Sequence, residues 1–149
     1  MTVEFYIPGD PKGKQRPKFA RRGKFTTTYT PKQTVEYEKK VRIAYNKANR
    51  GVVLEGPLAL DIHTTFTVPK STSKKKKQEL LGTHHMKKPD VDNLAKIVLD
   101  PLNNLAFHDD GQISKLNIEK TYGEEAGVYV KLSELYHNGH PVTCPIYFF

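Results

Sequence analysis

The sequence predicts an α+β protein in which two main helices pack on one face of a single mixed β-sheet. The strand signal is an alternation of apolar and polar residues, and it recurs in four segments: 2–7, 58–68, 116–122 and 128–132. Two other segments, 31–50 and 90–105, carry apolar residues at helical spacing. No segment repeats another, so a two-layer single domain over 1–149 is the simplest solution.

In the first half of the chain, segments with a clear secondary-structure pattern alternate with segments that lack one. Pro8-Gly9 stops the first strand. Segment 10–29 has no sustained period, and we expect a mobile basic loop with a short hairpin at 24–29. Thr30-Pro31 is typical of a helix start, and Gly51 of a helix end.

The second half contains the second helix and two last strands. The lysine-rich segment 70–88 predicts a mobile loop, in which 74–81 can form a helical turn or two. Asp90 can cap the second helix. Pro101 leaves the carbonyl of residue 97 without its helical donor, so we expect a kink or a restart there. The tail 135–149 has no clear assignment, although 146–148 can form a short strand.

The charge of the chain favours an anionic partner. Its 149 residues hold 24 Lys and Arg against 16 Asp and Glu, a net charge of +8. Two stretches concentrate the positive charge, and we interpret their side chains as contacts to DNA phosphates. These residues are Lys12, Lys14, Arg16, Lys18, Arg21, Arg22 and Lys24 in the first, and Lys74, Lys75, Lys76, Lys77, Lys87 and Lys88 in the second.

Other compositional features predict a cytoplasmic protein. The single cysteine, Cys144, excludes an internal disulfide framework. The first residues lack the basic start and apolar run of a signal peptide. No apolar run approaches the roughly 20 residues of a membrane span.

Acidic residues are crowded into one window of this basic chain. Five of the seven aspartates lie between Asp90 and Asp110, and Lys96 is the one Lys or Arg there. Crowded carboxylates repel one another and favour a bound cation. Mg²⁺ takes oxygen ligands and uses a few carboxylates together with substrate phosphates. The window therefore predicts phosphodiester chemistry on nucleic acid.

Helical spacing places part of this window on one surface. Asp92, Lys96 and Asp100 follow one another at four-residue intervals, away from the apolar stripe. Asp90 lies at the helix start, where the dipole favours negative charge. Of the pair Asp109-Asp110, we expect one side chain to face the site.

Each of these residues also has a structural interpretation. Asp90 can be only a helix cap, Lys96 only a partner of Asp92 and Asp100, and Asp109-Asp110 an ordinary turn. We favour a structural role for Asp100 and a hydrogen-bonding role for Asn93. Three aromatic residues of the basic loop can stack on DNA bases, pack in the core or anchor the loop: Phe19, Phe25 and Tyr29.

Three sequence motifs resemble the RusA family of Holliday junction resolvases. They are KPDVDNLAK at 88–96, Asp100 followed by DDGQI at 109–113, and PKGKQRP at 11–17, which is similar to the basic motif of phage and prophage members. The similarity extends over about 1–132, whereas Pro101 and the tail depart from the family pattern.

The resemblance implies a Mg²⁺-dependent homodimeric endonuclease that nicks four-way branched DNA symmetrically during recombination and repair. It implies one or two Mg²⁺ per subunit, held by Asp90, Asp92 and Asp110. It makes Lys96 the catalytic lysine, with Asn93 and Asp109 in support. Two alternatives remain open at this point: a nuclease for flaps or forks, and a junction-binding protein without catalysis.

Overall fold

The chain folds into an α+β domain, and a computed structural model describes it over residues 1–141. The elements in chain order are β1 (Thr2–Pro8), β2 (Lys18–Arg22), β3 (Phe25–Tyr29), α1 (Lys32–Asn49), β4 (Leu58–Phe66), α2 (Lys74–Leu80), α3 (Val91–Leu102), a 3₁₀ turn (Asp110–Gln112), β5 (Ile113–Tyr122), β6 (Gly127–Glu134), β7 (Tyr136–His137) and β8 (His140–Pro141).

Four strands form the mixed sheet that the sequence predicts. Their order is β1-β6-β4-β5. Strand β6 is antiparallel to both of its neighbours, whereas β4 and β5 run parallel. Parallel strands need a long crossover, and here α2 and α3 supply it. The α+β prediction is confirmed.

The core lies between this sheet and the two long helices. Alternate residues of each strand turn inward, as in β1, where Val3, Phe5 and Ile7 are buried. Helix α1 adds Tyr45, whose ring meets Phe5 edge to face at 5.4 Å between centroids. The packing leaves the polar side of α3 on the surface.

Helix α3 is uninterrupted where the sequence predicts a kink or a restart. Pro101 lies inside the helix and is buried. The helix ends one residue later, at Leu102, so the missing hydrogen bond falls in the final turn. Residues 92, 96 and 100 therefore share one continuous helix face.

Two segments without clear periodicity contain regular structure. Strands β2 and β3 pair as a hairpin longer than the expected 24–29. In 70–88, α2 covers most of the predicted helical turns, and backbone hydrogen bonds join Gly82 to Tyr122 and His85 to Lys120. In the tail, β7 and β8 form a small hairpin. The predicted strand at 146–148 lies outside the described residues.

None of the helices described in residues 1–141 is long and apolar enough to cross a membrane.

Candidate active site

Asp90 occupies the N-cap position of α3 without capping it through its side chain. Its backbone carbonyl accepts a hydrogen bond from the N–H of Leu94 at 3.1 Å, but its carboxylate accepts none from the helix. The carboxylate instead lies 2.8 Å from the ammonium group of Lys88. The purely structural interpretation of Asp90 as a cap therefore does not account for its side chain.

A cavity of about 570 Å³ brings most of the predicted site residues together. It is lined by residues of α3 and its N-cap, and by residues 14–17 of the basic segment that precedes β2. The lining residues are Lys14, Gln15, Arg16, Pro17, Asp90, Asp92, Asn93, Lys96 and Asp100. We call this cavity the acidic cleft. It combines three carboxylates with cations, a composition suited to a metal ion and a phosphate group.

The basic segment is fixed to α3 by close backbone contact. The N–H of Lys14 donates to the carbonyl of Asn93 at 2.9 Å. A side chain at Gly13 would bring its Cβ within 2.6 Å of the Cβ of Pro89 and within 3.2 Å of that of Asn93. Only glycine permits this approach. Asn93 thus supports the cleft through its backbone carbonyl.

Lys14 is a structural cation in this arrangement. Its ammonium group lies 3.1 Å from a carboxylate oxygen of Asp100 and also pairs with Glu38 of α1. Burial lowers the pKa of Lys14, but hydrogen bonds and charge from Glu38 and Asp100 outweigh it, and the pKa is raised. The structural role expected for Asp100 agrees with this pair, whereas Lys14 was expected to contact DNA.

Lys96 extends from the same helix face with its side chain exposed. Among residues 1–141, no carboxylate lies within 4.0 Å of its ammonium group. Salt bridges to Asp92 and Asp100, the structural interpretation of Lys96, are therefore not formed in this chain.

Asp109 and Asp110 lie beyond the other end of α3. The Asp109 carboxylate caps the 3₁₀ turn by accepting from the N–H of Gly111 at 3.0 Å. The N–H of Asp110 donates to the side chain of Asn103, the C-cap of α3, at 2.8 Å. Twelve helical residues rise about 18 Å. Asp110 is not among the residues that line the acidic cleft with Asp90 and Asp92.

This separation bears directly on metal binding. Over the described part of the chain, no three His, Cys, Asp or Glu side chains lie close enough to hold a metal ion. The acidic cleft offers oxygen donors of the type that Mg²⁺ prefers, on Asp90 and Asp92.

The other predicted DNA contacts fall into three groups. Lys18, Arg21, Arg22 and Lys24 are exposed on the β2–β3 hairpin. Lys74, Lys75 and Lys76 are exposed on α2, whereas Lys77 pairs with Glu124 at 3.4 Å. Arg16 lines the acidic cleft, and Lys12, Lys87 and Lys88 line a neighbouring cavity of about 550 Å³.

Three residues near the cleft have no clear signal in the sequence. Lys120 donates hydrogen bonds to the carbonyls of Lys87 and Pro89, and so fixes the backbone that leads into Asp90. Glu38 holds Lys14. His85 stacks on Phe66 at 3.8 Å between centroids and lines the neighbouring cavity.

His85 has an unusual environment for a predicted loop residue. Its Nδ1 is buried and has no hydrogen-bond partner among the described residues. Burial lowers the pKa of His85, and the charges of Lys120 and Lys87 lower it further. The ring is therefore a packing group, and a phosphate contact through a charged imidazole is disfavoured.

Comparison with known proteins assigns this chain to a family of nucleases. The sequence model of a family described as endodeoxyribonuclease RusA matches residues 8–133. The chain belongs to this family, and membership implies Holliday junction resolvase endonuclease activity. A protein of Bacillus subtilis (strain 168), described as uncharacterized protein YqaN, is 31% identical over 137 residues, and the match covers 89% of this chain and 96% of the relative.

Proposed function

We propose that this protein is a Mg²⁺-dependent, homodimeric endonuclease that resolves four-way DNA junctions. The observation that carries the proposal is the acidic cleft, in which Asp90, Asp92 and Lys96 face Arg16 of the basic segment. Carboxylates can hold a divalent ion there, while the cations receive a phosphate of the DNA backbone. Membership of the RusA family supports the same reaction class.

The proposed metal site is shared between two subunits. Asp90 and Asp92 lie at the start of α3, and Asp110 lies beyond its end. A two-fold axis that sets the two α3 helices antiparallel would bring Asp110 of the partner subunit to the acidic cleft of the first. Each cleft would then hold one or two Mg²⁺ with three carboxylates.

Bound Mg²⁺ supplies Lewis-acid chemistry, which lowers the pKa of water and stabilises negative charge on phosphate. The protein residues position the reactants. Lys96 neutralises charge that develops on the scissile phosphate or orients the attacking water. Asn93 and Lys14 keep the basic segment against the cleft, and Asp109 caps the turn that carries Asp110.

The basic surfaces bind the arms of the branched DNA. Their contacts are made to phosphates, which positions the duplex arms without reading sequence. The hairpin cations, the α2 lysines and the residues of the neighbouring cavity provide this charge. Because Lys77 and Lys88 already face carboxylates, they contribute less than their exposed neighbours.

The experiment is a nicking assay on four DNA substrates of equal length: a four-way junction, a fork, a flap and a duplex. Wild-type protein should cut the junction fastest, with no cleavage in EDTA. The Asp92→Asn variant should bind without cutting, and Asp109→Asn is the matched control, because Asn also caps well.

Other outcomes of this assay would support one of the two alternative functions. Faster cleavage of the fork or the flap would assign a different branched substrate. Tight junction binding with no cleavage at any Mg²⁺ concentration would identify a non-catalytic binding protein. A cruciform plasmid tests the dimer: paired nicks in one complex give linear product, whereas single nicks give open circles.

A further inference from the structure

The β2–β3 hairpin is exposed along almost its whole length. Every residue of β3 is exposed. Phe19, Phe25 and Tyr29 are 73%, 77% and 50% exposed. The core-packing interpretation of these rings is therefore wrong. An isolated two-stranded hairpin is at best marginally stable in water, so the apolar surface of this one calls for a partner.

The register of the hairpin divides its side chains between two faces. Residues directly opposite each other in an antiparallel pair share a face. One face carries Lys18 opposite Tyr29 and Arg22 opposite Phe25, with Ala20 and Thr27 between them. Each ring on this face has a cation beside it, and the two rings are about 13 Å apart along β3.

The other face is less suited to stacking. It carries Phe19 opposite Thr28 and Arg21 opposite Thr26. This face has one aromatic ring and one cation. Each of them lies opposite a threonine, so the ring has no cation directly across the hairpin. The face that carries Lys18, Arg22, Phe25 and Tyr29 therefore combines aromatic rings with neighbouring cations. We call it the aromatic face.

We propose that the aromatic face binds unpaired nucleotides at the centre of branched DNA, with Phe25 and Tyr29 as stacking platforms. This inference rests on the proposed function. Bases within a duplex have their faces covered by neighbouring bases, so the rings gain stacking partners only where pairing is interrupted. Lys18 and Arg22 then meet the phosphates that flank the stacked bases.

Charge favours DNA over a second copy of the hairpin as this partner. The segment 18–29 has four cations, Lys18, Arg21, Arg22 and Lys24, and no acidic residue. Two such hairpins would repel each other, whereas a polyanion is attracted to both faces.

The test compares binding of variants to two probes in EDTA, where no DNA is cut. The probes are a four-way junction with four unpaired thymines at its centre and a fully paired duplex of equal length. The Phe25→Leu/Tyr29→Leu double variant keeps the apolar character and loses both rings. Phe19→Leu is the matched control on the other face, and Tyr29→Phe keeps the ring.

The double variant should bind the junction at least tenfold more weakly, because losing one stacking platform weakens binding about 5- to 150-fold. Its affinity for the duplex should change less than about twofold. Phe19→Leu and Tyr29→Phe should bind both probes as the wild type does. A 2-aminopurine at an unpaired position should change its fluorescence on binding wild type, and not on binding the double variant.

Three results would overturn the inference. Equal weakening on junction and duplex would show a general loss of hairpin structure. Unchanged affinity would show that the rings touch no DNA. A fall in sedimented mass to 17.0 kDa would assign the hairpin to the dimer contact. Failure of the proposed function itself is distinct: the wild-type protein would then show no preference for the junction over the duplex.

Discussion

The ammonium group of Lys14 lies 3.1 Å from a carboxylate oxygen of Asp100, on the helix face that also carries Asp92 and Lys96. This contact joins the N-terminal basic segment to the acidic cleft. Glu38 completes the attachment from α1. A cation that the sequence assigns to DNA is therefore engaged by the protein.

Replacing Lys14 with Met should lower both stability and cleavage. Glu38 and Asp100 would lose their partner, at a cost of about 1–2 kcal/mol in the free energy of unfolding. Lys12→Met is the control, since Lys12 is a proposed phosphate contact without this pair. Urea unfolding and salt titrations separate the two roles: the slope of log affinity against log salt should fall only for Lys12→Met. A fall in slope for Lys14→Met would contradict its structural role.

The contribution of Lys14 should also disappear in alkali. Its pKa is raised above the ordinary value of 10.5, so the folded state holds this proton more tightly than the unfolded state. The stabilisation is complete below about pH 10.5 and is lost as the pH rises through the folded pKa. The difference in free energy of unfolding between wild type and Lys14→Met should be constant from pH 8 to 10 and shrink above it. A constant difference to pH 12 would contradict this linkage.

Mixing two inactive variants should restore cleavage if subunits share the metal site. In a heterodimer of Asp92→Asn and Asp110→Asn chains, one cleft lacks both carboxylates and the other lacks neither. Such dimers should nick one strand of a junction, while each variant alone stays below a few per cent of wild type. The measurement is nicking after mixing and refolding. No recovery, with heterodimers shown by mass, would place all ligands in one chain.

Lys96→Ala should slow the chemical step more than it weakens binding. The ammonium group of Lys96 has no carboxylate partner within 4.0 Å in the described chain, so its removal should cost little stability. Single-turnover cleavage at saturating enzyme isolates the chemical step, and we expect a loss of about 100-fold. Lys115→Ala, in exposed β5, is the control. A rate within twofold of wild type would exclude a catalytic role.

Neutralising Lys74, Lys75 and Lys76 together should flatten the salt dependence of binding. Each phosphate contact contributes a slope of about 0.9 in a plot of log affinity against log salt. Lys77→Gln should change the slope less, because Lys77 already faces Glu124 at 3.4 Å. An unchanged slope for the triple variant would remove α2 from the DNA-binding surface.

The sheet and the long helices were predictable because each has one buried side. Apolar residues occur at every second position of β1 and β6 and at helical spacing in α3, and these are the residues that are buried. The sequence did not predict strand β2. Both of its faces are largely exposed, so the strand lacks the regular alternation of apolar and polar residues. The order β1-β6-β4-β5 was not predictable, since pairing joins residues far apart in the chain.

The sequence predicts the part of the acidic cleft that lies on one helix. It does not predict the contacts that separate elements make with one another at the cleft. The positions of Asp92, Lys96 and Asp100 follow from helical spacing alone. The pairing of Lys14 with Glu38 joins a loop to another helix, 24 residues away. The place of Asp110 depends on the hydrogen bond that its N–H donates to the side chain of Asn103 beyond the end of α3, and no local pattern predicts this contact.

The place of β6 within the sheet determines when the protein can fold during synthesis. Among the strands described in residues 1–141, β1 pairs only with β6, and β6 also covers one side of β4. After its synthesis, β1 therefore has no neighbour among these strands until residues 127–134 emerge from the ribosome. A chain that stops before β6 is complete leaves β1 without its full partner strand, and the nascent enzyme completes the four-stranded sheet only after residues 127–134 have been translated.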